Sequence, residues 1–276
     1  MPELPEVETT KNSLLPLLSH TVCQVDVHQS QLRWAIPDDI SNLVGQKLLQ
    51  LSRRSKYIFA EFEKNSMLWH LGMSGSFRIC DANEPLRKHD HLVIHFDDAL
   101  QLRYHDPRRF GCILWLNDET QTKLIAPLGP EPLTEQFNAA YLKEKFKNKK
   151  TGIKIAIMDN HVVVGVGNIY ATESLFNLGI HPAQAANSLS EQQIEQLVIE
   201  IKRILKQAID LGGSTLRDYT NAMGENGYFQ QTLLAYGRAG EMCVNCETTL
   251  ENIKLGQRAS VFCPQCQPLR QEKEEK

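Results

Sequence analysis

The chain has 276 residues, long for a single core and suited to two modest domains, and its 42% hydrophobic and 23% charged residues are an ordinary globular composition. No apolar run is long enough to cross a bilayer, and the acidic, Pro-rich start Met1-Pro2-Glu3-Leu4-Pro5-Glu6 lacks the basic and apolar stretches of a signal peptide, so a cytosolic protein with no membrane partner is expected. The net charge of −3 speaks by itself against a nucleic-acid partner, but phosphate binding depends on the local field.

In chain order, residues 4–19 are predicted helical, with Pro5 in the first turn and Leu4, Val7, Leu14, Leu15 and Leu18 on an apolar face. Eight β-rich runs follow: Thr21–Val27, Lys47–Ser52, Tyr57–Phe62, Ser66–His70, Ser76–Ile79, His91–Phe96, Leu100–Tyr104 and Gly111–Leu116. Asp97-Asp98-Ala99 is expected to be a tight hairpin link, and so many short strands indicate a sandwich or barrel. Helices are predicted at Leu133–Phe146, Ile153–Met158, Asn168–Leu178 and Leu189–Leu211, the last with a capping box from Ser190 and Gln193 and a stop at Gly212-Gly213. Residues 213–232 are expected to form a mobile loop, Ala259–Cys263 a strand, and the mixed-charge residues 267–276 a disordered tail.

Positive charge gathers at Arg53-Arg54-Ser55-Lys56, at Pro107-Arg108-Arg109, and from Lys143 to Lys154, where six Lys face one Glu. The third cluster alone suits a solvated helix face; the three together favour a basic surface. Cys23, Cys80 and Cys112 stand apart and are expected to be small buried hydrophobes. Cys243, Cys246, Cys263 and Cys266 form two Cys-x-x-Cys pairs with sixteen residues between the pairs, the spacing of one tetrahedral zinc site in a reducing compartment.

If Met1 is removed, Pro2 carries a free secondary amine, which can attack an electrophilic sugar carbon and form an iminium. Helix position and burial lower such an amine's pKa while Glu3 and Glu6 raise it, so the net shift stays open. Taken alone, Pro2 is as well explained as a common early residue. Glu3 and Glu6, spaced i, i+3, suit acid–base work beside a nucleophile, but also the ordinary pairing of acids with a helix dipole. Gly165-Val166-Gly167-Asn168 before a helix can seat a phosphate or be only a turn. Arg258 falls where a hairpin tip would project, either as a phosphate contact or as a solvated side chain. The usual nucleotide-binding loops are absent, and no nucleotide cofactor is expected.

These pieces in their order resemble formamidopyrimidine-DNA glycosylase, the bacterial base-excision family for oxidised purines. The anchors include Pro2-Glu3-Leu4-Pro5-Glu6-Val7-Glu8-Thr9, Lys56-Tyr57, His70-Leu71-Gly72-Met73-Ser74-Gly75, Lys88-His89-Asp90-His91 and Asp106-Pro107-Arg108-Arg109-Phe110-Gly111. Leu128-Gly129-Pro130-Glu131-Pro132-Leu133, Met158-Asp159-Asn160, Val164–Tyr170, Gly179-Ile180-His181-Pro182, Tyr236-Gly237-Arg238 and the cysteine quartet complete the set.

The resemblance implies an α+β fold: an N-terminal β-sandwich with flanking helices (1–130), then a helical domain with a helix–two-turn–helix motif and a lesion-capping loop (131–235). A β-hairpin zinc finger (236–268) and a tail (269–276) follow, with damaged duplex DNA bound between the domains by a monomer. It assigns Pro2 as the Schiff-base nucleophile, Glu3 as the assisting acid and Glu6 as a support. Lys56, His70, Asn168, Tyr236 and Arg258 match the phosphate clamp, Arg258 also serving the last elimination. His89, Arg108 and Lys149 match further DNA contacts, and Lys154 a position near the everted base or its phosphates. Met73, Arg108 and Phe110 match side chains that fill the vacated stack, and Ser214 belongs to the loop that closes over the flipped purine. One structural zinc ion is implied. The sister family for oxidised pyrimidines, resembling endonuclease VIII, and a non-catalytic zinc-ribbon DNA-binding protein remain as alternatives.

Overall fold

The computed structural model describes residues 2–213 and 233–269. Two compact units are present. The first holds residues 2–127 and 209–213 of the described chain, and the second residues 128–208 and 233–269.

The first unit opens with helix α1 (Leu4–Ser13), with Pro5 in its first turn and Leu4 and Val7 buried. The helix is shorter than the apolar pattern predicts. Pro16, which has no N–H and cannot continue an α-helix, diverts the chain into a 3-10 turn at Leu15–Leu17. Eight strands follow among the described residues: β1 (Val22–Val27), β2 (Leu48–Arg54), β3 (Tyr57–Phe62), β4 (Ser66–His70), β5 (Ser76–Asp81), β6 (Asp90–Phe96), β7 (Leu100–His105) and β8 (Cys112–Trp115). All eight predicted runs are strands, each within two residues at either end.

The strands form two antiparallel four-stranded sheets, ordered β1-β6-β7-β5 and β2-β3-β4-β8. In β3, Ile58, Ala60 and Phe62 alternate inward with less buried neighbours, the period-2 signature of a sheet with one face in the core. The inward faces share a single core: Trp69 on β4 and Phe77 on β5 meet at 4.8 Å between ring centroids, and Phe77 meets Tyr104 on β7 at 5.1 Å. The fold is thus the expected sandwich. The β6–β7 link bends at Asp98 and Ala99, both left-handed with φ of 56° and 60°. Cys80 and Cys112 are buried as expected, whereas Cys23 is exposed: it lies on an outward position of edge strand β1.

A short helix α2 (Asp118–Thr120) continues into a π-turn at Gln121–Ile125, a feature no sequence pattern announced. In the second unit lie α3 (Ala139–Phe146), α4 (Ile153–Met158), α5 (Asn168–Asn177) and all but the last two residues of α6 (Glu191–Asp210). Helix α3 starts six residues later than predicted because the Asn138 side chain caps it, accepting from Tyr141 N–H at 2.9 Å. Helix α6 starts with the expected capping box: Ser190 Oγ accepts from Gln193 N–H, and Gln193 Oε1 from Ser190 N–H. Its Ile194, Leu197, Val198, Ile201, Ile204, Leu205 and Ala208 are buried along one stripe. Strands β9 (Glu251–Leu255) and β10 (Arg258–Phe262) form a hairpin turned by Gly256 and Gln257, both at positive φ.

Candidate active site and metal centre

In the first unit, the start of α1 is locked from within. Pro2, Glu3 and Glu6 are all buried, and the Glu3 N–H donates to Glu6 Oε2 at 2.8 Å. The backbone of Gly213, at φ +80°, packs directly on Glu6: a Cβ built there would sit 3.3 Å from Glu6 Cγ and Oε1. Further along α1, Glu8 pairs with Lys11 and with Arg53 of β2, each at 2.6 Å, which ties the helix to the sheet. Arg53 also donates to Ser55 O at 2.9 Å, fixing the left-handed turn that precedes buried Lys56.

His70 ends β4. Its Nδ1 accepts the Gly72 N–H at 3.0 Å, which leaves the proton on Nε2. Burial, with the charges of Lys56 and Arg33 added, pushes its pKa down to about 4, so the ring is neutral at physiological pH. A neutral imidazole with a fixed Nε2–H can donate a hydrogen bond to an anion without taking up a proton.

After β4 and β7 come two touching loops, 71–75 and 106–111. Met73 on the first is partly exposed, and Arg108 and Phe110 on the second are exposed, with the Arg108 guanidinium 4.9 Å from the Phe110 ring centre. Nearby, His89 edges onto His91 and His105 at 6.0 and 5.8 Å. Desolvation and the charges of His105, Lys88, His91 and Arg109 hold its pKa below the ordinary value.

In the second unit, Asn168 is the first residue of α5 after Gly167, and its Oδ1 is buried without a hydrogen-bond partner among the described residues. Lys149 pairs with Asp159 at 2.9 Å. Burial would raise the Asp159 carboxyl, but bonds from Lys149 and the His161 N–H outweigh it and hold the pKa below the ordinary value. Lys154 on α4 is fully buried and donates to Ala259 O and Ser260 Oγ of β10, each at 2.9 Å. It therefore braces the strand that begins with exposed Arg258, beside the hairpin tip as its sequence position suggested. The tip rests on α4, since a Cβ on Gly256 would lie 2.7 Å from Ile155 Cδ1. Tyr236 is held by its backbone: Glu173, buried on α5, accepts from the N–H groups of Leu234, Ala235 and Tyr236 at 2.8, 3.0 and 2.6 Å.

The four sulfur atoms of Cys243, Cys246, Cys263 and Cys266 lie within 4.8 Å of one another. Three of the separations are 3.9, 3.5 and 3.4 Å, close to the edge of about 3.8 Å expected for a tetrahedron with Zn–S bonds of about 2.3 Å. Backbone N–H groups of Asn245 and Cys266 point at Cys243 Sγ and Cys263 Sγ, at 3.4 and 3.3 Å, as thiolate ligands require. The donor set fits one structural zinc ion.

Three family models match: the formamidopyrimidine-DNA glycosylase N-terminal domain over residues 1–113, its H2TH domain over 128–220, and a zinc finger found in FPG and IleRS over 240–269. The formamidopyrimidine-DNA glycosylase of Acinetobacter baylyi is 77% identical over 98% of this chain and 99% of its own length. The chain belongs to the formamidopyrimidine-DNA glycosylase family. The enzyme of that name from Psychromonas ingrahamii is 52% identical over 97% of this chain and 100% of its own. Among solved structures, a Lactococcus lactis FPG point mutant in complex with Fapy-dG-containing DNA superposes with a TM-score of 0.89. It is 33% identical and covers 97% of this chain and 100% of that one. The L. lactis Fpg complex with abasic-site DNA gives 0.88 at 33% identity, covering 96% and 99%.

Within this glycosylase fold, the first unit brings together Pro2, Glu3 and Glu6 at one helix start and Met73, Arg108 and Phe110 on one pair of loops. The second brings Lys154 and Arg258 to one hairpin. Ser214 and the predicted loop after Gly213 lie outside the described residues, as does the end of the predicted tail. Sequence reasoning gave no role to Ser74, Tyr104, Asp106 or Glu173, Ser74 and Asp106 entering only as members of anchor motifs, although their hydrogen bonds set where the proposed contacts point.

Proposed function

We propose that this chain is a bifunctional DNA glycosylase and AP lyase that excises oxidised purines, 8-oxoguanine and formamidopyrimidines, from duplex DNA. The observation that carries this is the buried Pro2-Glu3 start of α1, locked by Glu6, in a chain 77% identical to a formamidopyrimidine-DNA glycosylase. Removal of Met1 leaves a secondary amine on Pro2. That nitrogen attacks C1′ of the lesion nucleotide and the bond from C1′ to the base breaks, with Glu3 supplying the proton that assists base loss and sugar-ring opening. The iminium formed on Pro2 acidifies the C2′ proton. β-Elimination and then δ-elimination release the sugar and leave a one-nucleotide gap, with Arg258 assisting the last step.

Before the chemistry, the base must leave the stack, at a cost of a few kcal/mol. Met73, Arg108 and Phe110 fill the vacated space, and Arg108 reads the orphaned partner base. Lys56, His70, Asn168, Tyr236 and Arg258 clamp the phosphates beside the lesion, with His89 and Lys149 as further contacts. Lys154 serves the site through the β10 strand it braces, and Ser214 belongs to the segment that covers the base. Zinc would be held by the four cysteines, where it joins the two ends of the finger and so fixes the hairpin. Residues 1–130 are assigned as the catalytic domain, 131–235 as the helix–two-turn–helix domain, 236–268 as the zinc finger and 269–276 as the tail. The enzyme acts as a monomer on DNA in the bacterial cytosol; no helix among the described residues is long and apolar enough to cross a membrane.

An L. lactis Fpg structure also holds DNA containing an oxidised pyrimidine, so the pyrimidine-directed alternative merits a direct comparison. Incision of duplexes carrying 8-oxoguanine or thymine glycol decides between them. Preferential incision of 8-oxoguanine is expected, and strong preference for thymine glycol would reverse the assignment.

A further inference from the structure

Asp106 is completely buried, yet the donors that meet its carboxylate are neutral: Ser74 Oγ at 2.6 Å, the Gly111 N–H at 2.9 Å and the Tyr104 hydroxyl at 3.1 Å. A buried carboxylate persists only where its lone pairs are filled, so this arrangement is specified and not incidental. Ser74 has a second bond. Its oxygen accepts the Arg108 N–H at 3.2 Å, so one hydroxyl bridges the two loops. The Asp106 carbonyl is also engaged, accepting from the Arg109 N–H at 3.1 Å and lying 2.8 Å from His91 Nε2.

The loops meet backbone to backbone. A Cβ on Gly72, where φ is +62°, would lie 2.3 Å from the Phe110 carbonyl carbon, and one on Gly75 would lie 2.6 Å from the Tyr104 hydroxyl. No larger residue fits at Gly72 without moving one loop away from the other, and one at Gly75 would also meet Leu71 O of its own loop at 2.3 Å. Met73 is partly exposed on this joint, and Arg108 and Phe110 are exposed beside Pro107 and Arg109.

None of the bond-making steps above uses Ser74 or Asp106. We propose that Ser74, acting through Asp106, is a positioning residue for lesion extrusion: it joins loops 71–75 and 106–111 into one rigid carrier, so that Met73, Arg108 and Phe110 enter the duplex together. This rests on the wedge role proposed for those three side chains. A wedge works against stacking and pairing, and a loop that yields under that load lets the base return. Bond breaking at C1′ occurs elsewhere and does not depend on the joint once the nucleotide has no base to extrude.

The test compares single-turnover strand cleavage on two duplexes, one with 8-oxoguanine opposite cytosine and one with an abasic site at the same place. The variants are Ser74→Ala, Ser74→Thr and Tyr104→Phe, with Met73→Ala as the reference for the wedge. Melting temperature and zinc content confirm folding. Ser74→Ala, which removes both bonds of the hydroxyl, is expected to slow cleavage at 8-oxoguanine at least about tenfold, with the abasic substrate changed less than about twofold. Ser74→Thr, which keeps the hydroxyl, restores the rate, and Tyr104→Phe shows the same selective loss to a smaller degree. Equal slowing on both substrates, or no slowing, overturns the inference when Met73→Ala is selective. If Met73→Ala is itself not selective, the wedge reading fails, and this inference fails with it.

Discussion

The backbone N–H of Glu3 donates to Glu6 Oε2 at 2.8 Å, and the backbone of Gly213 packs against the same Glu6 side chain. A single carboxylate thus sets the orientation of the residue next to the proposed nucleophile. Glu6→Gln keeps an acceptor and is expected to retain the fold with reduced excision. Glu6→Ala strands a buried N–H and is expected to cost about 1–3 kcal/mol in urea unfolding and to lower excision further. Equal stability of the Ala variant and the parent would show that the contact is not structural.

Glu173 answers three consecutive N–H groups ahead of the zinc finger. Glu173→Ala leaves all three without that acceptor, so a destabilisation of at least about 2 kcal/mol is expected, with DNA affinity reduced through the displacement of Tyr236. Glu173→Gln, which retains one acceptor oxygen, should lie between. Chemical denaturation and a gel-shift titration on the same samples check both effects. A Glu173→Ala protein that binds DNA with unchanged affinity would separate Tyr236 from this anchor.

His70 has a pKa near 4, below its ordinary value near 6.5, because the folded protein resists a proton that the unfolded chain accepts. Its contribution to stability is therefore intact above about pH 6.5, declines as pH falls toward 4 and levels off below that. A proton-detected titration should place the ring's midpoint near 4. His70→Asn, which can still accept the Gly72 N–H, should flatten this part of the stability profile and weaken DNA binding for want of the Nε2–H. A midpoint near 6.5 would contradict the fixed neutral tautomer.

Metal analysis should find one zinc per chain, bound by Cys243, Cys246, Cys263 and Cys266. Chelation or Cys246→Ser is expected to release the β9–β10 hairpin and Arg258 and to weaken DNA binding at least tenfold. Unchanged affinity in a verified metal-free sample would remove Arg258 from the DNA contact.

The sandwich was legible because its strands alternate: Ile58, Ala60 and Phe62 point inward from β3, and Asp97-Asp98-Ala99 interrupts the apolar pattern between β6 and β7. The zinc site was legible because metal geometry dictates cysteine spacing. Helix limits were less so. Apolar period carried the predicted first helix past Ser13 to Pro16 and beyond. It also started the predicted Leu133–Phe146 helix before Asn138, where local side-chain bonds at Thr134 and Asn138 turn the chain instead. Pro2, Glu3 and Arg258 could be proposed from chemistry and motif order. Asp106 and Glu173 could not, because their partners are backbone N–H groups and hydroxyls brought together only by folding, and such partners leave no pattern in the sequence.

The most direct measurement is borohydride trapping of the Met1-processed protein on an 8-oxoguanine duplex, with mass mapping of the linked residue. A covalent adduct through the Pro2 nitrogen is the predicted product, and it should vanish when Met1 is retained. An adduct mapped to a lysine, or none from folded, zinc-loaded protein, would contradict the proposed chemistry.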